Sequence, residues 1–442
     1  MSELQSYAQA LARAPLAQRI GWVRRVHGLA IEADGPELAF GEMCHVHPGH
    51  AGDGEPVLAE VVGLEPGRVL LMPYGPVRGV GEGARVEALG HAPQVAVGPA
   101  LVGCVLDAFG EPLDGRERPQ GTAAWPLHGV PPNPMTRPAI AKVLQTGVRV
   151  IDGLLTLGEG QRIGIFAGSG VGKSSLLGTI TRGARADVHV IALIGERSRE
   201  VREFVEDQLG PEGLAHSVVV AATSEQPALA RIRAAHAAVA IATWFAAQGR
   251  SVLLTMDSIT RLAMARREVG LAAGEPATAR GYTPSAFAEL PQLCERCGTF
   301  AGGGSVTALF TVLVEGDDLN EPVADYMRAI LDGHVVLSRE LAQQGHYPAI
   351  DVLRSASRVM SRLASVEERQ LAAEAVRHLA VLEKNRQLVD LGAYVKGANV
   401  ALDAALAREA ALSAWLRQDG AGVGREEALR ALSRVLANGA AG

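Results

Sequence analysis

From about residue 138 to 350, short apolar runs alternate with longer helical patterns. The candidate strands are QRIGIFAG, VHVIALIG, HSVVVAAT, RSVLLTMD and SVTALFTVLV, and segments such as 199–209 and 227–247 read as amphipathic helices between them. That alternation predicts an α/β region: a parallel sheet with helices on both faces. Residues 20 to 95 have a different texture. GWVRRVHGLAIEADG, PELAFGEMCHVHP, PVLAEVVGLEPGRVLLMPYG and ARVEALG are short Val- and Leu-rich stretches cut by Gly and Pro, which predicts a small all-β domain, a barrel. DAFGEPLDGRERPQGTAAWPLHGVPPNPMTRP follows and reads as an extended connection.

Beyond Arg358 the pattern turns helical, with Leu371, Ala375, Leu379 and Leu382 on one face and two further helical segments, so the C-terminal part reads as a helical bundle ending in a loose NGAAG tail. At the other end, Ser2 and Gln5 have capping-box spacing, and Leu4, Tyr7, Ala8 and Leu11 share a face before Pro15. This is either a plain terminal helix or a docking helix for a partner. The expected division is 1–19 as an N-terminal helix for docking or oligomerisation and 20–95 as the barrel. Residues 96–360 form the α/β domain and 361–442 the C-terminal helical domain.

Composition narrows the class. The chain has 442 residues, 48% apolar but only 4% aromatic, so its cores are aliphatic. A net charge of −6 argues against a general nucleic-acid binder, which carries a basic excess. Four cysteines are too few for a disulfide framework and fit a reducing compartment. No apolar run reaches membrane-spanning length and the N-terminus has no signal core, so a cytoplasmic protein is expected.

The chemistry concentrates at IFAGSGVGKSSLL. A strand ending, a glycine loop and a helix start form a phosphate loop, in which backbone N–H groups and a helix N-terminus point at phosphate oxygens. Residues 167–175, Ala167, Gly168, Ser169, Gly170, Val171, Gly172, Lys173, Ser174 and Ser175, form this candidate nucleotide cradle. Lys173 supplies a charge to the β- and γ-phosphates, and Ser174 supplies a hydroxyl for Mg²⁺. The usual first glycine is Ala167 here; it precedes the turn, where a methyl is tolerated if φ is negative. Asp257 closes the run SVLLTMD and is the expected second metal-side acid. Glu196 follows another apolar strand, where ligands sit in open α/β sheets, and could orient an attacking water. Most charges of GERSREVREF read as a solvated helix face, with Glu196 and Arg197 excepted.

The succession AGSGVGKS, GERSRE, LLTMD, GEPATARGYTPSAFAELPQL and the long stretch from VLVEGDDLNEP to SASRVM resembles the rotary ATPase catalytic family. Over roughly residues 20 to 400 the chain looks like its flagellar type III export branch. The stretch LVDLGAYVKGANVALDAAL is closer to that branch than to the injectisome one, which tends to have glutamate where Ala393 stands. The resemblance implies a RecA-like P-loop core behind an N-terminal barrel, ATP and Mg²⁺ as ligands, and a homohexamer. By resemblance, Lys173, Glu196, Arg197 and Asp257 are catalytic, with Asp257 and Ser174 on the metal. Tyr347 stacks on adenine, and Arg358 is an arginine finger offered to the next subunit.

Glu196 stands where the family's non-catalytic subunits carry Gln, which implies hydrolysis. Implied partners are a stator-like regulatory export protein at the N-terminal helix, a central coiled-coil stalk, and the export gate, chaperones and secreted substrates at the C-terminal domain. The implied location is the cytoplasmic face of the inner-membrane export apparatus. Nucleic acid is not expected as a partner. The alternatives are an injectisome ATPase, an F1-type catalytic subunit and a ring helicase. Two departures stand out: Cys294 and Cys297, expected to be buried thiols on one helix face, and GANVALD, where the family often has an acidic Asp-Pro.

Overall fold

The computed structural model describes residues 18–49 and 54–438. The expected N-terminal helix, residues 2–14, and residues 439–442 of the tail lie outside them.

The first unit is a closed antiparallel barrel of β1 (Ile20–His27), β2 (Ala30–Asp34), β3 (Met43–Val46), β4 (Val57–Glu65), β5 (Arg68–Pro73) and β6 (Arg85–Ala88), in the order β1-β2-β5-β4-β3-β6. Alternate residues turn inward, and Val23, Ile31, Ala33, Cys44, Val46, Val61, Leu71 and Val86 form its core. Gly21 is required by a close backbone approach: a Cβ there would lie 2.1 Å from the carbonyl carbon of Gly35.

The second unit is built on a largely parallel sheet. Its strands are β7 (Val105–Leu106), β8 (Arg162–Ala167), β9 (Val188–Ile194), β10 (Ser217–Ala222), β11 (Ser251–Asp257), β12 (Ser305–Leu313), β13 (Gly333–Leu337) and β14 (Ile350–Ser357). They lie in the order β14-β13-β8-β12-β11-β9-β10-β7. The five expected strands are all present. Three more, β7, β13 and β14, extend the sheet, and β14 runs antiparallel. Besides two short helices, Gly210–Leu214 and Met360–Leu363, its helices before residue 365 are α1 (Arg149–Leu154), α2 (Lys173–Gly183), α3 (Ser198–Glu203), α4 (Ala228–Ala247), α5 (Ile259–Ala272), α6 (Pro284–Glu295), α7 (Pro322–Ile330) and α8 (Arg339–Gln343).

The amphipathic reading of 227–247 is corrected: from 232 to 242 α4 is buried on every face. Its many alanines make it thin enough to be covered all round. Arg233 donates to the Ala108 carbonyl, and His236 bonds Glu289 of α6. The connection after residue 107 is pinned rather than free. Leu127 is buried, Arg137 donates to the Cys297 carbonyl at 2.6 Å, and Thr299 donates to the Pro138 carbonyl at 2.6 Å.

Three C-terminal helices, α9 (Val366–Asp390), α10 (Val400–Leu416) and α11 (Arg425–Asn438), complete this unit. Ser365 and Glu368 form a capping box at the start of α9, and Glu368 also holds Arg425. Leu412, Trp415, Leu432 and Leu436 share one core with Leu177 and Ile180 of α2. Three glycines meet where α2 ends: a Cβ on Gly147 would lie 3.2 Å from Gly183 Cα and 3.4 Å from Gly422 Cα. The chain folds tightly there, and Val423 donates to the Gly147 carbonyl at 2.9 Å.

Candidate functional site: a phosphate loop and two carboxylates

Strand order brings the chemistry together. β8, β12, β11 and β9 are consecutive neighbours, so the loop after β8, the end of β11 and the turn after β9 open on one edge. That carboxyl edge is where open α/β sheets bind ligands. Ala167 is the last residue of β8 and buried, and it is not among the residues with positive φ, so its methyl is tolerated. Gly170 and Gly172 turn the loop with φ of +76° and +87°, values that side chains rarely adopt. α2 starts at Lys173 directly after Gly172, so its N-terminal N–H groups face the loop. Gly168 is held to glycine by its neighbours: a Cβ there would lie 2.7 Å from Arg339 Nη2 and 2.8 Å from Asp317 Oδ1.

Lys173, Glu196 and Asp257 meet in the loop's lap. Lys173 Nζ donates to Asp257 Oδ1 and lies 3.6 Å from Glu196 Oε1. Thr311, on β12 between them, donates to the same Asp257 oxygen at 2.8 Å. Burial opposes charge on Lys173, but Asp257 and Glu196 outweigh it and hold its pKa above the usual value. Burial first, and then the Asp257 charge, push Glu196 up from 4.5 to about 7. A largely buried carboxyl poised near neutrality at the wall of a cavity is suited to proton transfer or to orienting water.

A cavity of about 860 Å³ adjoins these groups, large enough for a nucleotide. Ser169, Ser174 and Ser175 line it, while Val171 is buried beneath. Arg197 sits at its rim, largely exposed and 3.4 Å from Glu200. Tyr347 is half exposed, and its ring would be 3.2 Å from a Cβ on Gly172, so it stands beside the loop's last glycine. Arg358 does not join the group. Its N–H donates to the Asp332 carbonyl, and the Asp332 N–H donates to Arg162 at the entry end of β8. The six residues of β8 separate that level from the phosphate loop by roughly 20 Å.

The candidate metal ligands fit a hard cation. No group of three or more His, Cys, Asp or Glu side chains converges among the described residues. Asp257, Glu196 and the exposed Ser174 hydroxyl instead offer a few oxygens, the donor set of Mg²⁺, which keeps waters and takes phosphate oxygens. Sequence reasoning missed Thr311, Arg261, Arg267, Arg280 and Arg339. Arg261, one turn beyond Asp257 on α5, had a usable positional signal; Arg280 and Arg339 had none. Cys294 and Cys297 are buried and free, but they do not share a helix face, because α6 ends at Glu295. Burial pushes the Cys297 thiol up to about 12.

A phosphate loop between β8 and α2, with an acid ending the strand two places over, defines a P-loop nucleoside triphosphatase built on a RecA-like sheet. Comparison with known proteins narrows this. Residues 147–357 match the nucleotide-binding domain of the ATP synthase alpha/beta family, residues 23–90 its beta-barrel domain, and residues 364–434 the T3SS EscN ATPase C-terminal domain. A flagellum-specific ATP synthase of Bacillus subtilis (strain 168) is 50% identical over 401 residues, covering 91% of each chain. A type 3 secretion system ATPase of Xanthomonas euvesicatoria is 48% identical, covering 92% of each. The assembled ATPase EscN of the enteropathogenic E. coli type III secretion system superposes with a TM-score of 0.89 at 41% identity, covering 94% of this chain and all of that one. The chain therefore belongs to the ATP synthase alpha/beta family, in its flagellum-specific and type III secretion ATPase branch.

Proposed function

We propose that this chain hydrolyses ATP as one of six copies in a ring, and that hydrolysis powers or primes export of flagellar proteins through a type III secretion apparatus. The observation that carries the reading is the meeting of Lys173, Glu196 and Asp257 at the phosphate loop on the carboxyl edge of the sheet. Flagellum-specific relatives at 45–50% identity support the flagellar assignment. Relatives named as type 3 secretion system ATPases support the injectisome as the second reading. A C-terminal domain of the T3SS type argues against an F1 subunit.

The roles follow from position. Lys173 pairs with Asp257 and lies 3.6 Å from Glu196. When phosphates arrive, its ammonium turns to the β- and γ-oxygens, and loop N–H groups and the α2 N-terminus share that charge. Ser174 and Asp257 would hold Mg²⁺, which neutralises phosphate charge when bound. Glu196, released from Lys173, orients the attacking water and takes up its proton. Arg197 supplies a second cation at the rim, and Tyr347 stacks on the adenine.

Arg358 cannot reach its own loop across roughly 20 Å of strand. In this reading it serves a neighbouring copy, where a guanidinium contributes a factor of about 10³–10⁵ to phosphoryl transfer. The EscN structures described as assembled, one of them in complex with its central stalk EscO, support a ring around a stalk for this chain too.

In the same reading residues 1–19 dock a stator-like export protein, 20–95 pack the ring, 96–360 carry the site, and 361–442 meet the stalk, export gate, chaperones and cargo. No described helix is long and apolar enough to cross a membrane. Peripheral attachment at the cytoplasmic face of the export apparatus suits that. The test is ATPase activity measured against protein concentration with mass-resolved sizing. Specific activity should rise steeply as a species near six times the chain mass appears. Activity that stays flat while the chain remains a monomer overturns the ring.

A further inference from the structure

Beyond the phosphate loop, two arginines from distant segments line the same cavity: Arg280, after α5, and Arg339, which opens α8. Each is engaged with one of two adjacent acids. Arg339 Nε donates to Asp317 Oδ2 at 3.0 Å, and Arg280 Nη2 donates to Asp318 Oδ2 at 3.3 Å. The acids belong to the turn that follows β12; the last strand residue, Leu313, and Val314, Glu315 and Gly316 beyond it also line the cavity. The turn is stitched to the loop's root, because Val314 N–H donates to the Ala167 carbonyl at 3.0 Å. The Arg339–Asp317 pair lies directly on the loop backbone, and this is why Gly168 has no room for a Cβ: one would sit 2.7 Å from Arg339 Nη2.

These pairs are easily exchanged. All four side chains are roughly half exposed, at 39–56% of their free area, and ion pairs that wet contribute little. A guanidinium on a triphosphate forms stronger, charge-assisted and often bidentate bonds. Lys173 is already engaged by Asp257 and Glu196, so the incoming phosphates need further cations, and Arg339 and Arg280 are within the same cavity.

The geometry points to Arg339 and Arg280 as exchangeable phosphate ligands. They are bonded to Asp317 and Asp318 while the site is free and to phosphate oxygens when it is filled, so that nucleotide binding releases the 315–318 turn. The two carboxylates are then competitors of the nucleotide, and the turn reports occupancy of the site to whatever touches it. This inference rests on the cavity being the ATP site.

Competition makes a signed prediction that a merely structural pair does not. A fluorescent non-hydrolysable ATP analogue with Mg²⁺ is titrated into the full-length protein. Asp317→Asn should bind it more tightly, roughly two- to fivefold, because the competitor is gone. Arg339→Gln should bind it about tenfold more weakly or worse, and the double variant should follow Arg339→Gln. Arg339→Lys keeps the charge and should recover part of the loss, which separates ligand loss from misfolding. In the wild type, hydrogen exchange at residues 315–318 should speed up when the analogue binds. Weakened binding in both Asp317→Asn and Arg339→Gln would mark the pair as a structural staple and overturn the inference, as would slower exchange of the turn. Lys173→Ala separates the two levels. If it loses the analogue while Asp317→Asn is unchanged, this inference alone fails. If it still binds the analogue normally, the reading of the site beneath it fails.

Discussion

Replacing Glu196 by Gln should make this protein more stable and catalytically dead, and the first effect should depend on pH. The wild-type side chain is mostly buried, 13% exposed, with Asp257 nearby, and its pKa is pushed from 4.5 to about 7. Between pH 4.5 and 7 the folded carboxyl keeps a proton that the unfolded one has lost, so wild-type stability falls as pH rises through this window. Above pH 7 the folded state holds an unfavourable charge costing about 3 kcal/mol, a figure in which the attraction of Lys173 is already included. A neutral amide of the same shape does not titrate. Glu196→Gln should therefore gain about 2 kcal/mol over wild type at pH 8 and almost nothing at pH 5, read from urea midpoints of the nucleotide-free protein. The same variant should bind ATP near normally and turn it over at least about a hundredfold more slowly, the contribution expected of a positioned acid–base group. Equal or lower stability at pH 8, or near-normal turnover, refutes the assignment of Glu196 as a strained catalytic carboxylate.

Other outcomes follow from the same geometry. Arg358→Ala should lose about a thousandfold or more in the activity of the assembled protein while nucleotide affinity stays within about twofold, on the proposal that the residue serves the site of a neighbouring copy. Equal loss of affinity in a filter-binding assay would return it to a structural role. Gly172→Ala should cost about 1–2 kcal/mol, since φ is +87° there and its new methyl would press on the Tyr347 ring at 3.2 Å. Unchanged denaturation midpoints and analogue affinity would show that the loop can re-form without its left-handed turn.

What the sequence made legible tracks how local each signal is. Lys173, Glu196 and Asp257 could be read because each ends or follows a largely buried, mostly apolar strand, and parallel order then brings such ends together. β14 escaped because it is a half-exposed edge strand, IDVLRSAS, in which polar residues break the apolar run that marks its buried neighbours. β13 is only five residues and lies beside it. The helix at 227–247 was misread in its surroundings: alanine fits a buried face and an exposed one, so periodicity could not show that α4 is covered all round. The Arg339–Asp317 pair was invisible for a different reason. The two residues follow β13 and β12, and only the insertion of β8 between those strands sets both against Gly168.

The glycine contact at the far end of α2 has a mechanical consequence. α2 is an eleven-residue rod, about 16 Å long, with the phosphate loop at one end and Gly183 at the other. Gly183 bears on Gly147, and Gly147 on Gly422 in the chain between the C-terminal helices. Side chains at such a joint would act as soft spacers, changing rotamer to absorb small thrusts. Bare backbone has no such play. A shift of the loop end of α2 would therefore be passed by backbone contact alone to the segment between α10 and α11.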